Sequence, residues 1–281
     1  MSLPAELVDG LGVTTVTPVH GGDIARSYRL ETPNGRLFAK THPDPQPAMF
    51  AREAAGLRTL RAAGAVAVPD VVRETPSGLV LEWIDIGPRT PAAEGAFGAE
   101  LAALHRVTGP RFGGVDGAPG GYLGSQPVDL TTTERWSEFF VDRRVRPLAW
   151  RAVELGRLDP AAVELVERVA GRADELCGPP EPPALLHGDL WGGNRLVDGR
   201  GVNWLIDPAV YWGHREVDLA MMQLFGGFAA STFESYDEAF PIAPGWRERV
   251  HWYQLPPLLV HAILFGGSYG AAALDALLRY A

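Results

Sequence analysis

Lysine is almost missing from this 281-residue chain: of 25 basic residues one is Lys, at position 40, and the rest are Arg. That excludes the phosphate-binding loop G-x-x-x-x-G-K-[ST], because the only Lys follows Ala39 rather than Gly. Cysteine is as scarce. Cys177 stands alone, so no internal disulfide can form and zinc-ligand spacing rules have nothing to act on. No apolar run of the sequence approaches the roughly 20 residues that cross a bilayer. Residues 1–10 carry neither a basic segment nor the apolar stretch of a signal peptide. A cytoplasmic location with no membrane partner is therefore expected; a monomer is expected as well, though nothing in these counts bears on it. The net charge of −9 disfavours nucleic acid and leans towards an amine-bearing partner.

What is present is globular: 46% hydrophobic residues against 21% charged is far from the composition of disorder. The length exceeds one typical core. Two parts are expected, an N-terminal lobe over 1–85 and a C-terminal lobe over 86–281. The glycine-rich segment 111–124 carries Phe112 and Tyr122 and reads as a structured loop.

Strand-like runs cover 14–19 and 24–31, separated by a turn containing Gly21 and Gly22, and Pro33-Asn34-Gly35 leads into a third run over 36–42. Lys40 falls on that third strand. A helical pattern follows over 47–63, ended by Gly64, and two more strands cover 68–73 and 79–84. Met49, Leu57 and Leu60 share one stripe of the helix, with Glu53 in the middle of it. A carboxylate aimed at a core needs a cation. Lys40 is the candidate partner; the alternative is a Glu53 that leans out to solvent. The lone Lys also has two readings, a codon bias that spared one residue or a position needing a compact ammonium. Five strands, one helix after the third, a glycine turn and a strand Lys facing a helix Glu match the ATP-holding half of a kinase, although Gly21-Gly22-Asp23 falls short of the full G-x-G-x-x-G and by itself reads as a simple turn. Glu82 and Ile84 lie on the segment leading to Gly87, which reads either as a hinge whose backbone would face an adenine or simply as a strand end.

The rest of the chain reads as mainly helical, with patterns over 97–105, 133–145 and 160–177. Within it stands His187-Gly-Asp-Leu-Trp-Gly-Gly-Asn194, then a short strand, a turn at 198–201, a second strand and Asp207-Pro208. Asp189 precedes Asn194 by the D-x-x-x-x-N spacing of a kinase catalytic loop, in which the Asp accepts the proton of the acceptor hydroxyl; taken singly, Asp189 reads as a turn residue and Asn194 as a cap, and it is the full set with Lys40, Glu53 and Asp207 that favours the kinase reading. A turn centred between Gly199 and Arg200 would set Asn194 opposite Leu205, close to Asp207. One amide and one carboxylate oxygen with open positions suit Mg²⁺ completed by nucleotide phosphates. Gly266-Gly267-Ser268-Tyr269-Gly270 matches the hydrolase elbow G-x-S-x-G, but no His follows Ser268 to complete a triad. His251 and His261 lack metal-ligand spacing, and His105 reads as a packing or capping residue.

The run 187–194 together with Ile206-Asp-Pro-Ala-Val-Tyr-Trp-Gly-His-Arg-Glu-Val-Asp-Leu-Ala220 resembles the fructosamine (ketosamine) 3-kinases, within the wider aminoglycoside phosphotransferase and choline kinase group. The resemblance spans nearly the whole chain. It implies an α+β, two-lobed, protein-kinase-like fold: a small antiparallel sheet with one helix, then a mainly helical lobe. It also implies ATP- and Mg²⁺-dependent phosphorylation of the 3-hydroxyl of ketosamines, small or on protein lysines, as a deglycation repair. By resemblance Lys40 holds phosphates, Glu53 orients it, Asp189 is the base, Asn194 and Asp207 bind the metal, and Asp218 braces the loop. Trp191, Tyr211, Trp212, His214, Arg215 and Glu216 become candidates for the sugar–amine pocket, with core packing as the alternative for each. An aminoglycoside- or choline-type kinase and a nucleotide-binding pseudokinase are the competing readings. Some relatives carry a redox-active Cys in the glycine loop; here Gly22-Asp23-Ile24 stands there, so no such switch is expected.

Overall fold

The computed structural model describes residues 3–19 and 25–281, so the turn at Gly21 and Gly22 lies outside the described residues. A single-turn helix, α1 (Ala5–Val8), precedes an antiparallel sheet of β1 (Thr15–Val19), β2 (Arg26–Thr32), β3 (Gly35–Thr41), β4 (Val71–Thr75) and β5 (Gly78–Glu82). The strand order is β1-β2-β3-β5-β4. Between β3 and β4 runs α2 (Met49–Ala63), which stops at Gly64 in the left-handed conformation, as the sequence suggests. Alternation along the strands sorts side chains between two faces. Phe38, Leu79 and Leu81 pack with Phe50, Leu57 and Leu60 of α2, while Tyr28, Leu30, Ala39 and Val80 cover Leu7 of α1. Lys40, two residues beyond Phe38, faces α2.

The C-terminal part begins with α3 (Pro91–His105), capped by the Thr90 hydroxyl, which accepts the Ala93 N–H. A hairpin of β6 (Gly120–Leu123) and β7 (Gln126–Asp129) follows. Next comes a continuous helical run: α4 (Trp136–Glu138), a π-helical stretch Phe139–Val145, and α5 (Arg146–Glu154). Pro147 has no N–H to give and its ring crowds the carbonyl four residues back. The Arg146 N–H reaches instead to Val141 O, one residue further than in an α-helix. The helix expected over 160–177 is divided into α6 (Ala161–Ala170) and α7 (Ala173–Leu176), parted at Gly171. Short strands β8 (Ala184–Leu186), β9 (Arg195–Val197), β10 (Asn203–Leu205) and β11 (Tyr211–Gly213) form two antiparallel pairs, β8 with β11 and β9 with β10. The chain ends in α8 (Glu216–Leu224), α9 (Ala230–Ala239), α10 (Trp246–Tyr253), α11 (Leu255–Phe265) and α12 (Tyr269–Leu278).

One apolar cluster ties the sheet and α2 to the helical part, joining Leu57, Leu60 and Leu81 to Phe97, Leu101, Leu190, Leu205 and Met222. A second fills the helical part around Phe139, Phe140, Trp252 and Tyr253. Each such side chain contributes about 1.5–3 kcal/mol on burial. The shared cluster therefore holds the sheet at a set distance from the loop at 187–194. Among the described residues no helix is long and apolar enough to cross a membrane.

Candidate active site

Lys40 Nζ lies 2.7 Å from Glu53 Oε2 and 3.0 Å from Asp207 Oδ1. Burial opposes the ammonium, and the Asp207 and Glu53 charges outweigh it, raising the Lys40 pKa above its ordinary value. Glu53 is buried rather than turned to solvent. Burial lifts its carboxyl to about 7 against the pull of Lys40, and its Oε1 has no partner. Asp207 follows β10 with φ 53, a left-handed conformation rare outside glycine. Such strain costs about 1–3 kcal/mol and gathers at functional positions.

The loop between β8 and β9 is braced from below. Asp218 of α8 accepts the backbone N–H groups of His187 (2.8 Å) and Gly188 (2.9 Å), and His105 Nε2 lies 3.2 Å from it. His105 packs, as expected, against Tyr236, whose hydroxyl is 2.8 Å from Nδ1. His187 Nε2 in turn contacts Ile206 O at 3.0 Å, tying the loop to the strand that carries Asp207. Asn194 donates through Nδ2 to Asp189 O (2.8 Å) and Asp189 Oδ2 (3.3 Å), which holds the carboxylate in place. Burial, followed by the charge of Asp207, lifts Asp189 to about 7.

The pairing of β9 with β10 corrects the expected register by one residue: Arg195, not Asn194, stands opposite Leu205. Asp198 is the cause. Its Oδ1 accepts the N–H groups of Arg200 (2.8 Å) and Val202 (3.0 Å), which centres the turn on Arg200. Ile206 then donates to Asn194 O at 3.0 Å, and Asp207 comes next.

Lys40, Glu53, Asp189, Asn194 and Asp207 all line one cleft of about 1100 Å³, as do Glu82 and Ile84. Of the six candidates for the sugar–amine pocket, Trp191 alone lines that cleft, 40% exposed. The other five are placed elsewhere, because each is held by an internal partner. Tyr211 is buried against Phe139, and Trp212 is half-buried against the core, paired with Leu185 of β8. His214 stacks on Tyr253. Arg215 is bidentate to Glu181, and Glu216 is bidentate to Arg249. Their charges are neutralised before any ligand arrives.

The cleft wall instead holds aromatic residues that no sequence motif singles out as a pocket: Phe225, His261, Phe265 and Tyr269. Phe225 lies 4.7 Å from the His261 ring and edge-on to Trp191 at 6.4 Å. His261 and Phe265 lie four apart on α11, but Tyr269 opens α12 beyond the break at Gly266, so no single periodicity in the sequence gathers these rings. Arg89 likewise belongs to no recognisable motif. Its guanidinium donates to the carbonyls of Gly192, Arg195 and Gly227, clamping the loop from the connecting segment.

Two oxygens are available to a hard cation. Asp207 keeps its side chain 43% exposed, and the Asn194 amide donates through nitrogen, which leaves its oxygen for the cleft. No group of three or more His, Cys, Asp or Glu that could hold a metal occurs among the described residues. This donor set fits Mg²⁺, which keeps waters and takes its remaining oxygens from phosphates.

The fold is that of the protein-kinase-like phosphotransferases. A crystal structure of an aminoglycoside phosphotransferase superposes with a TM-score of 0.64 at 16% identity, covering 97% of this chain and 96% of that one. Within that class the chain belongs to the fructosamine kinase family, whose model matches residues 3–280. A candidate fructosamine-3-kinase of Thermobifida fusca gives a TM-score of 0.88 at 40% identity over 98% of this chain and 96% of that chain. A probable ketoamine kinase of Enterococcus faecium is 38% identical over 261 residues, 91% of each chain. A kinase family implies ATP as a substrate.

Proposed function

We propose that this protein transfers the γ-phosphoryl group of ATP to the 3-hydroxyl of a ketosamine, a ketose sugar joined to an amine. The observation that carries the reading is the meeting of Lys40, Glu53, Asp189, Asn194 and Asp207 in one cleft beside an aromatic wall. Residues 1–85 act as the nucleotide lobe and 86–281 as the acceptor lobe. Lys40, oriented by Glu53, engages the α- and β-phosphates, and the backbone of the segment from Glu82 to Ile84 faces the adenine. Asp189 takes the proton of the acceptor hydroxyl, whose oxygen bonds to the γ-phosphorus as the bond to ADP breaks. Asn194 and Asp207 would hold Mg²⁺, which supplies charge neutralisation at the phosphates. Trp191 and Phe225 give flat faces for the sugar and for a cationic amine. Phosphorylation at O3 destabilises the ketoamine, releases the amine and so repairs glycation.

ADP release measured with ribulose-lysine, fructose-lysine, kanamycin and choline tests this assignment. Turnover of the two ketoamines is expected; ATP binding with no turnover of either would overturn it in favour of a pseudokinase. Asp189→Ala should bind ATP normally and lose more than about 99% of kcat, since general bases contribute 10²–10⁴-fold. Retention of a tenth of the wild-type rate would remove Asp189 from the role.

A further inference from the structure

The π-helical turn Phe139–Val145 carries Arg144, which is only 3% exposed and yet lines the cleft. Single π-turns inside helices recur at functional sites because they redirect a side chain. The two adjacent arginines are treated differently. Arg143 pairs with Asp129 at 3.2 Å, and the other oxygen of Asp129 accepts the Thr131 N–H. Asp129 is thus taken. The Arg144 side chain makes no hydrogen bond or ion pair among the described residues, and its Nε, like that of Arg143, is buried without a partner. What it has is a ring face, that of Tyr211, 5.0 Å from its Cζ.

Removing a cation from water without a direct ion pair is costly, and the Tyr211 ring together with the nearby charge of Asp129, which is already paired to Arg143, restores only part of the loss. Even this strong base is pulled below its ordinary pKa by burial. The unused donors form a planar fork that matches a carboxylate or phosphate in bidentate fashion. A sugar hydroxyl would accept a hydrogen bond from it but leave the charge uncompensated. The turn packs against β7 and α11, and Val128 and Val260 from those elements line the same cleft. Lys40, by contrast, sits with the sheet. These positions assign Arg144 to the acceptor rather than to the nucleotide.

We propose that Arg144 is an anion-recognition residue on the acceptor side of the cleft, so that preferred acceptors carry a carboxylate or phosphate besides the ketoamine. Adducts of free amino acids and adducts of sugar phosphates both have this chemistry. The proposal rests on the ketosamine kinase reading, and the test separates the two.

Three acceptors built on one sugar are compared by calorimetric binding and by ADP release: ribulosyl-glycine, ribulosyl-glycinamide, and ribulosyl-glycinamide phosphorylated at O5. The wild type should bind one or both anionic acceptors about tenfold or more tighter than the neutral carboxamide, as hydrogen bonds to charged groups do. Arg144→Gln should lose that preference, and Arg144→Lys should keep part of it, with the charge but not the fork. The carboxylate and phosphate arms identify which half of the acceptor supplies the anion. Equal binding of all three by the wild type, or an undiminished preference in Arg144→Gln, overturns the proposal. Should Arg144→Gln fail to fold, the wild-type comparison and Arg144→Lys still decide it. Preferential binding with no ADP release sinks the kinase reading and leaves the anion site standing. Equal turnover of all three does the reverse.

Discussion

At Lys40 a buried ammonium stands between two carboxylates, Glu53 at 2.7 Å and Asp207 at 3.0 Å. A guanidinium is wider, planar and less compactly charged, so it cannot take the same point between them. Lys40→Arg should therefore lower kcat by at least about a hundredfold while keeping the charge, the scale of loss expected when a reacting group is displaced by about 1 Å. Steady-state kinetics check this; near-normal turnover would mean that codon usage alone explains the single Lys. His214 offers a second test, of pH. Burial holds its pKa below the ordinary value, and its ring stacks 5.3 Å from Tyr253. The unfolded chain then takes up the proton first, so the contribution of His214 to stability is complete above roughly pH 6.5 and is lost as pH falls below it. Glu53 and Asp189, raised to about 7 by burial, act in the opposite sense, which makes a comparison of variants the clean measurement. Between pH 7 and 5 the wild type should lose more of its Tm than His214→Gln; parallel losses would remove His214 from the account.

Among the elements, α3 and α9 are in close contact at Gly98, where an added Cβ would meet Thr232 O at 2.2 Å and Tyr236 N at 2.8 Å. Both are backbone atoms of α9 and cannot swing aside. Ala is the better helix former by about 1 kcal/mol, so propensity alone predicts that Gly98→Ala stabilises. Overpacking at this crossing reverses the sign, and a net destabilisation of about 1–3 kcal/mol is expected in urea unfolding. An unchanged or raised midpoint would show that the helices can separate freely. The same crossing matters for the site. Thr232 of α9 and Arg195 of β9 share the carboxylate of Glu94 on α3, so a displaced α3 carries with it the strand that follows Asn194. The loop and its neighbours act as one supported unit, with Arg89 and Asp218 as outer braces.

For the molecule as a whole, one apolar cluster spans the sheet and the helical part, and the cleft takes lining residues from both. A nucleotide bound there contacts the folded chain only. At Mg-ATP a hundredfold above its Kd, stability should rise by about 2.7 kcal/mol, or about 5 °C in Tm for a chain of this size. Asp207→Asn should abolish the dependence of that rise on Mg²⁺; an equal rise with ATP and EDTA in the wild type would show that no metal participates.

Local signals in the sequence were sufficient for the five strands, for α2 with its Gly64 stop and for the five residues that meet in the cleft. Strand alternation, helix periodicity and the D-x-x-x-x-N spacing all act over a few residues, so they can be read without knowing the rest of the fold. Tertiary structure alone decided which charges remain free. In the sequence Arg215 and Glu216 could face a substrate or pack inside; Glu181 and Arg249, 34 and 33 residues away along the chain, neutralise them. Arg144 looked like one more arginine in an arginine-rich chain, and only the fold shows that its neighbour took the nearby carboxylate. A buried charge is defined by its partners, and those partners come from distant parts of the chain that only folding brings together.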